Sequence, residues 1–539
     1  MSDWWRGAVI YQIYPRSFQD DNGDGIGDLP GITRRLPHVA SLGVDAIWLS
    51  PFFTSPMADM GYDVSDYRGV DPQFGTLADF DTLVAAAHDL GLKVIIDQVI
   101  SHSSDQHAWF MESRASKTNP KANWYVWADP KPDGSPPNNW PSVFGGSAWA
   151  WEPVRRQYYL HNFLNSQPDL NFHEPDMQDA LLDAMRFWLD RGVDGFRLDT
   201  VNFYVHDAQL RDNPPHAAEP KDWPPGNPYD MQDHVYSKTR PENLAFLERL
   251  RALTDEYHAR AMVGEIGDRD RAIEIMADYT KGHKRLHMAY SFDMLGPQFT
   301  AEHFRSKIKG FFDGAPDGWP CWSFSNHDVQ RHVTRWLEHG VSQDAVAKQA
   351  IAMLASFEGT LGIYQGEELG QTDTDLSYDE LTDPVGLRFW PDNKGRDGCR
   401  TPMVWSAQAP HAGFSDTKPW LPVKDAQAAR NVASQQGDPA SVLNHYRSVL
   451  GWRKTQDALL CGRTEFIDLR EPFLAFRRRT NADTLTCLFN LSPKPRHLTL
   501  SGDGALVGPS QATFDGQSLT LPANGYAWLS GQPLMQPDV

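Results

Sequence analysis

The sequence predicts an α/β chain built as a (β/α)8 TIM barrel, with an inserted subdomain after strand 3 and a C-terminal all-β sandwich domain. Three observations lead there. Eight short apolar runs recur along the chain, each followed by a loop and then a helical pattern. Helix-like stretches lie between many of these runs, and strand alternating with helix implies a parallel sheet. Beyond Cys461 the pattern changes to short alternating strands without helices between them.

The runs are Ala8 to Tyr14, Asp45 to Leu49, Lys93 to Val99, Gly195 to Asp199, Ala261 to Ile266, Met288 to Met294, Trp322 to Ser325 and Gly359 to Gln365. Helical periodicity marks Leu77 to Leu90, Met177 to Asp190, Glu242 to Ala259 and Ser342 to Ser356. The stretch after strand 3, residues 103–170, is too long for a βα loop and is rich in Trp, Pro, Asn and Gly; it reads as an inserted subdomain. Residues 1–102 and 171–460 then form the barrel, with a second insertion at about 371–440 and a closing helix near Val442 to Leu459. Residues 461–539 form the β domain, with strands at Phe473 to Arg477, Thr484 to Asn490, Arg496 to Leu500, Ser518 to Leu521 and Tyr526 to Leu529.

Composition narrows the partners. A formal net charge of −20 disfavours nucleic acid, whose phosphates need clustered Lys and Arg, and points to a small neutral substrate. Aromatic residues make up 12% of the chain, 19 of them Trp. They suit a large core and a sugar-binding cleft equally, since rings stack on the apolar faces of pyranoses. The four cysteines, Cys321, Cys399, Cys461 and Cys487, are far apart and form no CxxC pair, which fits reduced thiols. Met1-Ser2-Asp3-Trp4-Trp5-Arg6 is not a basic-then-apolar leader and no run of about twenty apolar residues occurs, so a cytoplasmic protein without a membrane span is expected.

Three carboxylates close strand-end runs: Asp199 in Gly195-Phe196-Arg197-Leu198-Asp199, Glu265 in Val263-Gly264-Glu265, and Asp328 in Ser325-Asn326-His327-Asp328. Asp97 closes another. In a barrel of this kind the chemistry lies on loops at the carboxyl ends of the strands. Acids grouped there suit cleavage of a glycosidic bond, with one as nucleophile and one as acid/base.

Taken in order, the motifs resemble the α-amylase superfamily of retaining glycoside hydrolases (family 13), and within it the oligo-1,6-glucosidase and α-glucosidase branch. They are Asp97-Gln98-Val99-Ile100-Ser101-His102, Gly195 to Asp199, Val263 to Glu265 and Phe324 to Asp328, with Gln167-Pro168-Asp169-Leu170-Asn171 as the branch marker. Gln98 and Ser101 depart from the family, which more often has Val and Asn there. The resemblance implies Asp199 as nucleophile, Glu265 as acid/base, and Asp328 as a non-covalent grip on sugar hydroxyls. It also implies that Arg197 keeps Asp199 ionised, that His102 and His327 bond sugar hydroxyls, and that Tyr62 stacks beneath the non-reducing glucose. Asp59 and Arg400 resemble the pair that clamps the far hydroxyls of the terminal sugar in exo-acting members. Phe144 and Phe163 are candidate pocket walls, and the Pro-rich loop from His206 to Met231 a candidate for the leaving-group side.

The implied activity is release of glucose from the non-reducing end of maltose-like disaccharides and aryl or alkyl α-glucosides, with transglucosylation, since an acceptor can intercept a covalent intermediate. Thr200 follows the nucleophile; in related enzymes Thr or Ala there accompanies α-1,4 activity and Val accompanies α-1,6. Alternatives on the same scaffold are an oligo-1,6-glucosidase, a sucrose hydrolase, or a sucrose or trehalose isomerase. The stretch Val329 to Arg335 lacks the Arg-Leu-Asp-Arg pattern of sucrose isomerases, and a non-catalytic relative would have lost the acids. No organic cofactor is expected. Asp20 to Asp28 offers oxygens at alternate positions as an EF-hand does, but Gly31 stands where the bidentate Glu would be and the loop follows a strand. It resembles instead the calcium loop of this glucosidase branch, with Asp20, Asn22, Asp24, the Ile26 carbonyl and Asp28 as ligands of a structural Ca2+ or Mg2+.

Overall fold

The computed structural model describes residues 3–217 and 227–537. The eight barrel strands are β1 (Val9–Ile13), β2 (Ala46–Leu49), β3 (Lys93–Gln98), β4 (Gly195–Leu198), β5 (Ala261–Ile266), β6 (Met288–Ser291), β7 (Cys321–Ser323) and β8 (Thr360–Tyr364). All pairings are parallel, in the spatial order β6-β5-β4-β3-β2-β1-β8-β7. A single parallel bridge, Ala289 to Pro320, closes the ring between β6 and β7.

Side chains on each strand alternate between two cores, as the two-residue period of a strand requires. Ile10, Trp48, Ile95, Val263, Met288, Tyr290 and Cys321 point into the barrel lumen, with Trp5 and Trp319 packed against them. Tyr11, Ile47, Val94, Ile96, Phe196, Leu198 and Met262 face outward into the larger core under the helices. At the carboxyl ends of β3 to β6 the lumen set turns polar. Asp97 is in register with Arg197, Arg197 with Val263, and Glu265 with Tyr290. Four adjacent strands thus aim ionisable or hydroxyl groups at one point.

The strands end where local chemistry ends them. The run expected at Met288 to Met294 stops at Ser291, whose hydroxyl caps the 3-10 turn Phe292–Leu295. The run expected at Trp322 to Ser325 stops at Ser323, whose hydroxyl donates to the Ser325 carbonyl at 2.7 Å. Gly359 lies outside β8 at φ +143°, where a Cβ would come within 2.8 Å of the Pro320 carbonyl oxygen. Helices start on side-chain caps: Thr76 and Asp79 form a capping box on Leu77–Asp89, and Ser342 caps Gln343–Ser356. The closing helix runs Val442–Arg453; the chain is then extended at Gln456 before a second, short helix, Asp457–Cys461.

Between β3 and the helix Pro175–Asp190 lie the helix Ala108–Ala115 and a three-stranded antiparallel sheet, Trp127–Ala128, Trp149–Glu152 and Gln157–Leu160. Bridges from His102 to Asp169 and from Tyr125 to Leu170 tie this unit to the β3 loop. After β8, the short helices Pro384–Phe389 and Asp397–Arg400 cover the same end of the barrel. Past Cys461 a five-stranded and a four-stranded antiparallel sheet enclose Phe473, Leu488, Leu498, Leu519 and Leu529. Besides the expected strands, the sheets include Arg463–Phe466, Leu506–Gln511, Thr513–Phe514 and Leu534–Pro537. The five-stranded sheet turns its other face, with Phe476, Phe489, Tyr526 and Trp528, to the core shared with the barrel helices. Arg478, fully buried, locks this junction by donating to the carbonyls of Ser356, Leu459 and Gly462. Among the described residues no helix is long and apolar enough to cross a membrane.

Candidate active site

The centre of the site is Arg197, on β4 and fully buried. Its Nη1 lies 2.6 Å from Asp199 and 2.8 Å from Asp97, and its Nη2 lies 2.7 Å from Glu265. The guanidinium also lies over the Trp48 ring at 4.9 Å. Trp48 Nε1 donates to Asp97 at 3.1 Å. Thr200 links two of these carboxyls from the other side: its N–H donates to Glu265 Oε2 at 3.1 Å and its hydroxyl to Asp199 Oδ2 at 3.3 Å. Thr200 sits in the left-handed region, at φ 41° and ψ 47°, an unusual place for a β-branched residue. Such strain costs of order 1–3 kcal/mol and persists where surrounding contacts over-determine it, as the bonds to both acids do here.

One cation faces three carboxylates, and the protonation follows from that count. Burial pushes Asp199 up to about 7 and Glu265 up to about 7, with Arg197 opposing and the neighbouring acids adding to the rise. Burial likewise pushes Asp97 up to about 6. This differs from the depressed Asp199 that a dedicated Arg197 would produce. The guanidinium is divided among three acids, so the cluster holds a shared proton near neutrality.

Asp328 has the opposite environment. Burial alone would raise it, but the guanidinium groups of Arg400 and Arg396 hold it below the usual carboxylate range. Arg400 Nη2 is 2.9 Å from its Oδ1, and Arg396 Nη1 is 3.4 Å away.

Asp59 pairs with Arg396, Nη2 to Oδ1 at 2.8 Å, rather than with Arg400. Arg400 is turned inward, donating to the His327 carbonyl and to Asp328. Arg396 lies over the Phe144 ring at 5.2 Å and also binds Asp383, 2.7 Å away. It therefore bridges three acids at one end of the cleft. The two arginines lie four residues apart, on and just before the short helix Asp397–Arg400, the spacing that puts side chains on one helix face. That spacing was the available signal for Arg396.

Asp59, Tyr62, His102, Phe144, Phe163, Asp199, Thr200, Glu265 and Asp328 all border one cleft of about 540 Å³, so most of the expected residues meet. Arg197, His327 and Arg400 stand one layer behind its wall. Burial lowers His327 well below an ordinary histidine and keeps it neutral. The Gln12 amide reaches its Nδ1 at 2.7 Å, while Nε2 meets the Tyr62 hydroxyl and, at 3.2 Å, Asp328. Tyr62 and His327 stack with their planes 7° apart. Burial also lowers His102 to about 4. Its Nδ1 meets the Ser101 hydroxyl and its Nε2 the Tyr62 carbonyl, both at 2.9 Å, so the protein already engages both ring nitrogens. Ser101, one of the two departures from the family pattern, also touches the Thr200 hydroxyl at 3.1 Å.

Phe144 and Phe163 meet edge to face, and Phe163 packs on His102 and Phe203. Phe203, Tyr229, Lys238 and Asp268 complete the opposite wall; Tyr229 falls in the loop singled out for that side, whereas no motif marks the other three in the sequence. Lys238 is buried and donates to the Gly267 carbonyl at 2.7 Å. Of the loop His206 to Met231, residues 218–226 lie outside the described residues.

The loop Asp20 to Asp28 is remote from these groups. Asp20 accepts the N–H groups of Gly23 and Gly25 and the Ser415 hydroxyl. Asn22 accepts from Asp24, and Asp24 from Ile26. Asp28 caps the helix Leu29–Ser41 through Gly31 and takes the N–H groups of Asp21 and Asn22. The oxygens are of the hard type that suits Ca2+ or Mg2+. Among the described residues, however, no three His, Cys, Asp or Glu side chains converge as a metal-binding group.

Comparison with known proteins places this geometry in context. The family description "Alpha amylase, catalytic domain" matches residues 12–462. A probable alpha-glucosidase of Rhizobium meliloti is 60% identical, covering 91% of this chain and 90% of its own. An oligo-1,6-glucosidase of Heyndrickxia coagulans is 37% identical, covering 91% and 93%. The crystal structure of the alpha-glucosyl transfer enzyme XgtA superposes with a TM-score of 0.95 at 52% identity, covering 99% of this chain and 100% of its own.

The proton shared between Asp199 and Glu265 sets the pH dependence. An acid raised to about 7 gives up its proton as pH rises through that value, so this pair changes protonation around neutrality. Activity on a substrate with a poor leaving group is expected to follow a bell centred near pH 7, measured as kcat/KM from pH 4 to 10. A plateau extending two units above pH 7 would contradict the shared-proton arrangement.

Proposed function

The chain belongs to the α-amylase family and is a glycoside hydrolase of the α-glucosidase branch, and from that premise we propose that it is an exo-acting, retaining α-glucosidase that favours α-1,4 linkages and also transfers glucose to acceptors. The observation that carries this reading is the single guanidinium of Arg197 spanning Asp199 and Glu265. That bridge supports the short carboxyl spacing of retaining enzymes, about 5–5.5 Å, over the roughly 6.5–9.5 Å of inverting ones.

In the first step the Asp199 carboxylate attacks the anomeric carbon. The bond from that carbon to the glycosidic oxygen breaks, and Glu265 gives its proton to the departing oxygen. A β-glucosyl ester on Asp199 results. Glu265, now ionised, takes a proton from water or from a sugar hydroxyl; that oxygen attacks the anomeric carbon and releases Asp199. Asp328, kept ionised by Arg400 and Arg396, binds hydroxyls of the distorted sugar and favours the oxocarbenium-like transition state. The Arg396 bridge between Asp59, Asp328 and Asp383 supports the exo mode, because it closes the cleft behind the terminal glucose.

Small sugars are the substrate class, with maltose-like disaccharides and aryl or alkyl α-glucosides as the specific choice. The relatives named for α-glucosidase and α-glucosyl transfer activity support α-glucoside cleavage and transfer. Thr200 supports the α-1,4 preference: its hydroxyl is held by Ser101 and Asp199 at the boundary with the leaving-group side. A cytoplasmic setting accords with four cysteines that form no disulfide. The loop Asp20 to Asp28 takes Ca2+ or Mg2+ as a stabilising ion in this proposal. The support is its all-oxygen donor set, and the ion has no part in the chemistry.

Three outcomes test this reading. Proton NMR of equimolar maltose and isomaltose should show maltose consumed first with α-glucose appearing first, and Thr200→Val should move the ratio toward isomaltose; prior loss of isomaltose with the unmodified protein would reverse the linkage assignment. Asp199→Asn should lower kcat by several orders of magnitude with an unchanged circular dichroism spectrum, and near-normal turnover would end the nucleophile assignment. Removing divalent ions with EDTA should lower Tm by several degrees, with recovery on adding Ca2+ or Mg2+; identical melting curves would dispose of the ion.

A further inference from the structure

Tyr290 is the inward-facing residue of β6 one step above Met288, in register with Glu265 on β5. It is buried, and its ring lies 6.3 Å from Trp48 across the lumen. Its hydroxyl accepts from Arg197 Nη2 at 2.8 Å and from Nε at 3.2 Å. Its own proton goes to Glu265 Oε1 at 2.9 Å. We infer that Tyr290 is a positioning residue for the acid/base: its hydroxyl ties Glu265 to Arg197 and donates to the carboxylate that Glu265 becomes once it has protonated the leaving group. This rests on Glu265 being the acid/base.

The physical case is one of donor supply. A phenol has one proton to give and can accept as well. With both acceptor directions taken by the charged guanidinium, the O–H of Tyr290 can only point at Glu265. Burial raises the phenol well above its ordinary range, so that proton is present at every working pH. Ionised Glu265 then has donors on both oxygens: Tyr290 and Arg197 on Oε1, and the Thr200 N–H on Oε2. Each of these donors binds an ionised carboxylate oxygen more strongly than an oxygen of the neutral acid. Tyr290 therefore favours the charged form, the one that must activate water or an acceptor sugar in the second step.

Other charged groups face Glu265. Asp97 comes from β3, Arg197 and Asp199 from β4, and Asp328 from the loop after β7. Asp230, Lys238, Asp268 and Arg269 border the same cleft. Tyr290→Phe changes none of these charges and keeps the ring against Trp48, so it isolates the hydroxyl.

The test is the pH dependence of kcat/KM for maltose with the unmodified protein and Tyr290→Phe. Loss of a hydrogen bond that favours the ionised carboxyl should move the alkaline limb up by about one pH unit. The acid limb should stay in place, since Tyr290 does not touch Asp199. With an aryl α-glucoside, whose first step needs little acid, the second step should limit, and kcat should fall about tenfold while KM also falls. A uniform loss at all pH values with both limbs unmoved would show a merely structural role and overturn the inference. Glu265→Gln on maltose and on an aryl α-glucoside separates the two claims: equal losses on both would sink the acid/base reading itself, whatever Tyr290→Phe does.

Discussion

One buried guanidinium with more acids around it than it can neutralise is the constraint on which the rest of this site depends. Arg197 meets Asp97, Asp199 and Glu265 at hydrogen-bond distance with no access to solvent. Were all three ionised, the cluster would carry a net double negative charge in a low-dielectric lumen. Desolvation makes that state expensive, so a proton is retained. The retaining mechanism proposed above calls for that condition: one carboxylate free to attack and one acid with a proton to give. The barrel achieves it by parity, since Arg197, Glu265 and Tyr290 are the last inward residues of three adjacent strands.

A second charge group works in the other direction. Asp328, Asp59 and Asp383 lie at the rim around Arg396, and Arg400 adds a second cation at Asp328. Asp328 therefore stays ionised, although it shares a cleft with acids pushed upward. Two carboxylates close together are driven to opposite protonation by the number of cations each can reach, a division that assigns their roles. The protein as a whole carries −20, yet Arg396 and Arg400 stand side by side at this rim. The bulk charge acts on partner classes at long range; the local pairing acts on chemistry.

The loops supply what the strands cannot. Thr200, in a left-handed conformation just past β4, turns its N–H to Glu265 and its hydroxyl to Asp199, joining residues from two strands. The inserted subdomain brings Phe163 onto His102, and the segment after β8 brings Arg396 over Phe144. The cleft is thus walled by three segments that are distant in sequence and held by a rigid barrel below, the arrangement expected for binding residues on loops.

The sequence by itself determined the barrel, the C-terminal β region and the positions of Asp199, Glu265 and Asp328. Each follows from local information: an apolar run of strand length, a loop, and a carboxylate at the run's end. Strand boundaries at Ser291 and Ser323 were set by hydroxyl caps that apolar periodicity does not register. Only the tertiary structure decided that Arg396 rather than Arg400 holds Asp59, because both arginines lie within one five-residue segment and the choice depends on which way a short helix faces. It also decided that Arg197 is shared three ways, that burial at Asp199 outweighs the pull of Arg197, and that Tyr290 reaches Glu265. Parity along a strand says which face a side chain takes, but its neighbours across the lumen come from other strands. Their distances, and hence their protonation, exist only once the ring closes.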